Sequence, residues 1–102
     1  MATFDQSKPV HLIVNPRSGY GGSRLLLREL RQEMRRAELA MIQYVTRAPE
    51  DATRYARQFA DQAGAVMVWG GDGTVREVAA GLAGTDVPIL ACRAGTENLL
   101  AN

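Results

Sequence analysis

Hydrophobic residues along the chain follow two alternating patterns, short continuous runs and longer stretches with a helical period. A continuous apolar run is typical of a strand that is buried on both faces. Four mainly apolar runs stand at residues 10–15, 39–46, 65–69 and 89–92, and the third, AVMVW, is of this continuous kind. A stretch of helical spacing follows each run, and these stretches start near Ser23, Pro49, Thr74 and Thr96. The pattern therefore predicts strands and helices in strict alternation.

Turn-forming and capping residues separate these elements. Pro16 ends the first strand. Pro49 suits the first turn of the second helix, and Glu50 and Asp51 suit its positive N-terminal end. Gly64 is predicted to cap the same helix at its C-terminus. Strands and helices that alternate with short connections predict an α/β fold, in which helices pack on a parallel sheet.

Composition narrows the classes of function. The chain has 102 residues, of which 46% are hydrophobic and 23% charged, as expected of one small globular domain. The net charge of +1 gives no strong positive field, so nucleic acid is not a predicted partner. The single cysteine, Cys92, cannot form an internal disulfide, and no Cys/His cluster indicates zinc. Without a signal peptide or an apolar run of about 20 residues, the predicted location is cytoplasmic.

The stretch VMVWGGDGTVREV, residues 67–79, places a glycine turn between the third strand and the third helix. Ligands of open α/β sheets bind beyond the carboxyl ends of the strands, and the first N–H groups of a helix attract anions. Glycines there allow positive φ angles and the close approach of a ligand, so the turn suits phosphate. Asp72 would repel phosphate unless a cation lies between them, which points to a nucleotide with Mg²⁺. The alternative is a tight turn in which Asp72 caps the helix.

Two further loops rich in glycine and small polar residues strengthen the phosphate interpretation. Residues 15–19 follow the first strand and residues 94–98 follow the fourth, so all three loops should leave the same edge of the sheet. Neither standard phosphate loop matches. The P-loop requires a lysine that these loops lack, and Arg76 occupies the third glycine position of the dinucleotide fingerprint.

The segments NPRSG, GGDGTVREVAAGL and GTENLLA, in this order and spacing, resemble the catalytic domain of diacylglycerol kinases and the related sphingosine and ceramide kinases. The resemblance extends over residues 10–102. It implies a three-layer α/β fold with an open, mostly parallel sheet and helices on both faces. It also implies transfer of the γ-phosphoryl group of ATP to a lipid hydroxyl, such as that of diacylglycerol, with Mg²⁺.

The resemblance further implies which residues bind the nucleotide. They come from the first loop, the end of the second strand, the glycine turn and the loop after the fourth strand. These residues are Asn15, Pro16, Arg17, Ser18, Gly19, Thr46, Gly70, Gly71, Asp72, Gly73, Thr74, Glu77, Gly95, Thr96 and Asn98. Asp72 is also the expected catalytic residue, near the metal and the phosphates, and no metal ligand is assigned in this chain.

Members of the resembled family carry a C-terminal β-rich domain that holds the catalytic base, and no residue here corresponds to it. Residues 1–102 are therefore expected to be a truncated nucleotide-binding domain that is inactive alone and self-associates. A basic stripe on the first predicted helix is either a solvated surface or a peripheral contact with an anionic membrane. The stripe consists of Arg24, Arg28, Arg31 and Arg35. Two alternatives stay open: a non-catalytic nucleotide-binding module, and a kinase with a non-lipid acceptor such as NAD kinase.

Overall fold

Four strands and three helices alternate along the part of the chain that this computed structural model describes, residues 5–17 and 24–92. The strands are β1 (Val10–Val14), β2 (Met41–Val45), β3 (Ala65–Trp69) and β4 (Ile89–Cys92). The helices are α1 (Arg24–Arg36), α2 (Asp51–Phe59) and α3 (Asp72–Gly81). Each of these elements coincides with one that the hydrophobic pattern predicts. The fourth predicted helix, from Thr96, lies outside the described residues.

All four strands pair in parallel, in the order β2-β1-β3-β4. Leu12 of β1, for example, stands in register with Gln43 of β2 and with Met67 of β3. The middle strands β1 and β3 are almost wholly buried, as expected of parallel strands that are covered on both faces. Parallel pairing brings the carboxyl ends of the strands, and therefore the loops that follow them, to one edge of the sheet.

Helices cover both faces of the sheet, which confirms the α/β fold with helices on both sides. On one face, Leu30 of α1 packs in a hydrophobic cluster with Met67. On the other face, Ala56 of α2 and Val78 of α3 share a second cluster with Val68. Successive residues of a strand point to opposite faces, so the neighbours Met67 and Val68 serve the two clusters. This double use explains the continuous apolar runs in the sequence.

The two side chains that end β3 and β4 fill the core under α1. Trp69 is 4% exposed and Cys92 is 1% exposed, and both belong to the cluster around Leu30. Burial raises the pKa of the Cys92 thiol to about 11, so the thiol stays protonated at neutral pH. Cys92 is therefore a small apolar core residue rather than a nucleophile.

Helices α2 and α3 pack closely because the last residue of α3 has no side chain. A Cβ atom at Gly81 would lie 2.5 Å from the carbonyl oxygen of Thr53 and 2.8 Å from the Cβ of Ala56. One turn earlier, the Thr53 hydroxyl donates a hydrogen bond of 2.8 Å to the carbonyl oxygen of Glu77. This contact sets the position of Glu77 relative to the turn between β2 and α2.

The bounds of α2 differ from those that the sequence predicts. The helix begins at Asp51, after Glu50 in the left-handed region (φ 69°), so Pro49 precedes the helix instead of forming its first turn. It ends at Phe59, and the prediction that Gly64 caps it is wrong. Gly64 instead donates its N–H to the carbonyl oxygen of Pro9, 2.9 Å away. A side chain there would collide with the backbone of the segment before β1, which is why the position requires glycine.

Candidate functional site

A cleft of about 230 Å³ lies at the carboxyl edge of the sheet, between the turns after β1 and β2 and the start of α3. Its lining residues are Asn15, Arg17, Thr46, Arg47, Ala48, Pro49, Thr74 and Glu77. Five of these eight are among the residues expected to bind a nucleotide, and they come from three separate parts of the sequence. The structure therefore brings Asn15, Arg17, Thr46, Thr74 and Glu77 together on one surface.

Asn15 joins the turn after β1 to the glycine turn after β3. Its side-chain Nδ2 donates a hydrogen bond of 2.9 Å to the hydroxyl of Thr74. Its Oδ1 accepts the backbone N–H of Arg17 at 3.0 Å, and its own N–H bonds to the carbonyl oxygen of Trp69 at 2.9 Å. Asn15 thus extends the pairing of β1 with β3 and then turns the chain so that Arg17 lies in the cleft.

Gly70 packs directly against the side chain of Thr74 within the glycine turn. Thr74 is 5% exposed, and a Cβ atom at Gly70 would lie 2.8 Å from its hydroxyl oxygen. Glycine is therefore required at position 70 by the packing of the fold itself. The Thr74 hydroxyl accepts the bond from Asn15 and keeps its own proton to donate elsewhere.

Among the described residues, no packing contact explains why Gly71 and Gly73 are glycines. Gly71 has φ −86°, neither residue has a positive φ, and a Cβ atom on either would meet nothing within 4 Å. The expectation that these glycines serve positive φ angles is therefore wrong. Glycine at both positions keeps the backbone N–H groups at the start of α3 open to close approach, which is the other property that a phosphate ligand needs.

Asp72 is exposed and is the first residue of α3, after Gly71 at the N-cap position. The alternative in which Asp72 itself caps the helix is therefore wrong. A carboxylate in the first turn still interacts favourably with the positive end of the helix. Asp72 does not line the cleft described above. The same is true of Pro16 in the turn after β1 and of Gly70, Gly71 and Gly73 in the glycine turn.

The turn after β2 is held by the carboxylate of Asp51, whose side chain is 7% exposed. Its Oδ2 accepts the N–H of Arg47 at 2.8 Å and the N–H of Ala48 at 3.1 Å, and the Tyr44 hydroxyl donates to it at 3.4 Å. Its Oδ1 forms an ion pair with Arg54. The hydrogen bond from the Arg47 N–H, together with the Arg54 charge, lowers the pKa of Asp51 against the opposing effect of burial.

Sequence reasoning missed Arg47, Ala48 and Pro49 in the wall of this site and Asp51 behind it. Position in the sequence could have indicated them, because residues that follow a parallel strand directly lie at the same edge of the sheet as the glycine turn. Among the described residues, neither Arg17 nor Arg47 forms an ion pair, and Glu77 is the acidic residue of the lining. The cleft therefore carries an excess of positive charge.

Several expected site residues lie outside the part of the chain that the structure describes. They are Ser18, Gly19, Gly95, Thr96 and Asn98. The cleft as described is consequently one portion of the predicted site, formed by the turns after β1 and β2 and the start of α3. Its volume is below the roughly 300–1,000 Å³ of typical small-molecule pockets, so it suits part of a nucleotide.

The number of carboxylates near the cleft is the number expected for a metal ion that binds together with phosphates. Within residues 5–17 and 24–92, no group of three or more His, Cys, Asp or Glu side chains could hold a metal ion. Asp72 and Glu77 are the acidic residues of the first turns of α3. Mg²⁺ in phosphoryl-transfer sites is usually bound by one or two carboxylates plus the phosphates of the substrate, and this donor set fits that pattern.

A larger hollow of about 540 Å³ lies at the opposite edge of the sheet. Lys8, Ala63 and Val87 line it, and each precedes a strand. Open α/β sheets bind ligands beyond the carboxyl ends of their strands, so the smaller cleft is the candidate site despite its size. Of the three described helices, none combines the length and the apolar character that a membrane span requires.

The chain is similar in sequence and in structure to known proteins of one family. Residues 9–102 match the sequence profile of the diacylglycerol kinase catalytic domain. Three solved structures from Bacillus anthracis strain Sterne, of proteins assigned as diacylglycerol kinases, are similar to the chain. One is 33% identical, with a TM-score of 0.74 over 87% of this chain and 33% of its own.

The other two structures are similar over nearly the same part of the chain. They are 32% and 30% identical, with TM-scores of 0.67 and 0.59, and each covers 84% of this chain. This chain corresponds to 30% and 32% of their lengths, so it spans about a third of these relatives. No curated protein matches it significantly.

Proposed function

The chain belongs to the diacylglycerol kinase catalytic domain family, and we propose that it is the ATP-binding part of a lipid kinase of that family. In the complete enzyme, the γ-phosphoryl group of ATP passes to the hydroxyl oxygen of a lipid such as diacylglycerol. The bond between the γ-phosphorus and the β–γ bridging oxygen breaks, a phosphoester bond forms, and the hydroxyl gives up its proton to a base.

The observation that carries this proposal is the convergence of three turns on one basic cleft. Asn15, Thr46 and Thr74 are far apart in sequence, yet all three line the cleft at the carboxyl edge of the sheet. Hydroxyl, amide and guanidinium groups are the donors that phosphate oxygens require. Gly71 and Gly73 add backbone without side chains at the start of α3, and among the described residues neither is required by packing.

Each group has a task that its position supports. Arg17 supplies positive charge for the phosphates, and the hydroxyls of Thr46 and Thr74 donate hydrogen bonds to their oxygens. If Mg²⁺ were bound with the nucleotide, it would neutralise phosphate charge, and Asp72 and Glu77 are the carboxylates that would hold it. Phosphoryl transfer depends mainly on positioning and charge stabilisation, which are the contributions these side chains make.

The remaining partners follow from the same assignment. The lipid acceptor and the base that takes its proton are assigned to a C-terminal β-rich domain beyond residues 1–102, so the chain is expected to be inactive alone. The exposed arginines Arg28, Arg31 and Arg35 on α1 form a surface that suits peripheral contact with anionic lipid headgroups. Self-association through the sheet edges is the other proposed contact.

Backbone amide shifts during titration with Mg-ATP test the proposed site. We expect the largest changes at Asn15, Thr46, Gly71, Gly73 and Thr74, in the cleft and at the start of α3. Thr46→Val removes the hydroxyl but keeps nearly the same side-chain shape, and it should weaken binding about threefold to tenfold, the value of one hydrogen bond of ordinary strength.

Thr85→Val is the matched control, because Thr85 lines the hollow at the opposite edge and bonds to the carbonyl oxygen of Leu82. It should bind Mg-ATP like the wild type. Shift changes confined to that opposite hollow, or none at millimolar nucleotide, would disprove the site. In a full-length protein, radiolabel transfer to lipid, to NAD or to neither distinguishes the lipid kinase from the two alternative functions.

A further inference from the structure

We propose that Arg47 binds a phosphoryl group of the nucleotide and that Asp51 is the positioning residue that holds Arg47 at the cleft. This inference rests on the proposed function and adds a residue to it that the motifs of the sequence do not contain. Arg47 lines the cleft together with Thr46, directly after the end of β2. The expected ligand of this cleft carries several negative charges, which suits a cationic side chain in its lining.

The backbone of the turn after β2 is anchored by the carboxylate of Asp51. Asp51 accepts two successive N–H groups, from Arg47 at 2.8 Å and from Ala48 at 3.1 Å. Its carboxylate is almost fully buried, and Arg54 and Tyr44 contact its oxygens from α2 and β2. The anchored turn therefore presents the Arg47 side chain from a defined backbone position instead of a mobile one.

Arg17 on the opposite turn is held in the same manner. Its N–H bonds to Oδ1 of Asn15 at 3.0 Å, as the N–H of Arg47 bonds to Asp51. Two arginines with anchored backbones thus line one cleft, and neither is neutralised by an ion pair within the described residues. Guanidinium groups bind phosphate oxygens in a planar, bidentate geometry, so phosphate is the ligand chemistry that suits this pair.

A nucleotide series tests the phosphate contact. Arg47→Gln should raise the Kd for Mg-ATP and for inorganic tripolyphosphate about tenfold, as expected for the loss of a charge-assisted hydrogen bond. The increase in Kd caused by Arg47→Gln should become smaller from ATP to ADP to AMP, and adenosine should bind the variant and the wild type equally. The matched control is Arg57→Gln, which removes the same charge from α2 at the opposite edge and should change Kd by less than about twofold.

A double-mutant cycle tests the positioning role of Asp51. Asp51→Ala releases the two N–H groups, so in that background Arg47→Gln should weaken ATP binding by a clearly smaller factor than in the wild type. A purely structural role for Asp51 would lower the melting temperature and leave the Arg47 factor unchanged. Asp51→Asn keeps the shape and one acceptor oxygen, and it serves for the same cycle if the alanine variant does not fold.

The outcomes separate this inference from the proposed function. If the wild type binds Mg-ATP in the cleft but Arg47→Gln binds it no more weakly than Arg57→Gln does, Arg47 has no phosphate contact and the inference is wrong while the function stands. An equal effect of Arg47→Gln on adenosine and ATP would also overturn it. If the wild type binds neither ATP nor tripolyphosphate in the cleft, both are wrong.

Discussion

At the scale of single residues, His11 shows how a polar side chain is accommodated in the middle of the sheet. It is 2% exposed in β1, and its Nδ1 lies 2.9 Å from the hydroxyl of Tyr55, within hydrogen-bond distance. The ring of Phe59 stacks on it at a centroid distance of 5.4 Å. Burial among these rings lowers the pKa of His11, because the charged form loses its hydration.

The lowered pKa of His11 predicts a pH dependence of stability. Below the ordinary value of about 6.5, the unfolded chain binds a proton that the folded chain does not, so the free energy of unfolding falls as the pH drops. His11 is the chain's one histidine, so it should dominate the change between pH 7 and pH 5. Urea unfolding across this range should show a slope in the wild type that is nearly absent in His11→Phe. Equal slopes in the two proteins would contradict the prediction.

Asp72 is the residue at which stability and activity should separate most clearly. Its side chain is exposed, so Asp72→Asn should lower the free energy of unfolding by no more than about 1 kcal/mol, the value of a charge at a helix N-terminus. In the proposed complete kinase, the same change should lower kcat about a hundredfold, because it removes a charge near the metal and phosphates. Steady-state kinetics and thermal unfolding provide the two measurements. An unchanged kcat would mean that Asp72 interacts with the helix terminus but has no role in catalysis.

At the scale of elements, α3 ends on a glycine that packing requires, whereas two glycines near its start have no packing role within the part of the chain that the structure describes. Gly81 allows α2 to approach, whereas a Cβ atom at Gly73 would meet no described residue within 4 Å. The same chemical change, Gly to Ala, therefore has different expected results at the two ends of one helix.

Gly81→Ala should destabilise the protein, because the clash of about 1–3 kcal/mol expected from overpacking exceeds the gain of about 1 kcal/mol in helix propensity. Gly73→Ala should leave the free energy of unfolding within about 0.5 kcal/mol of the wild type. It should nevertheless weaken Mg-ATP binding, since the methyl group occupies the open side of the turn. Denaturant unfolding and nucleotide titration of both variants check this. Normal ATP binding by Gly73→Ala would remove the argument for close phosphate approach.

At the scale of the whole molecule, the sheet edges are the surfaces most prone to contact another chain. Among the described residues, β2 and β4 have no strand partner on their outer sides. Both carry exposed apolar side chains, with Ile42 at 46% and Leu90 at 47% exposure. Unpaired edges with apolar side chains favour pairing between copies.

Self-association of the 102-residue chain should therefore depend on an edge residue. Light scattering at micromolar concentration should give a mass above the 11.1 kDa of one chain. Ile42→Lys should shift the mass towards the monomer, because a charge on an edge strand disfavours pairing. Leu25→Lys is the control, since Leu25 is more exposed, at 63%, but lies on helix α1 and not on an edge strand. A monomeric wild type would refute the prediction.

The sequence by itself determined the elements, their order and the parallel sheet. Continuous apolar runs such as AVMVW are typical of strands that are covered on both faces, and alternation with helices through short connections leaves few topologies. The same pattern placed the glycine turn at the carboxyl edge, where Thr74 and Glu77 indeed line the cleft. These are local properties, carried by spacing and by residue type within a few positions.

Only the tertiary structure decided which individual side chains meet. Asn15 reaches Thr74 across 59 positions of sequence, Gly64 and Gly81 are glycines because distant backbone approaches them, and Asp51 anchors Arg47 behind the cleft. No local pattern marks these positions, since a glycine required by packing and one left open for a ligand look alike in sequence. The difference lies in what occupies the space where a Cβ atom would stand, and that space is filled or left empty by residues from other elements.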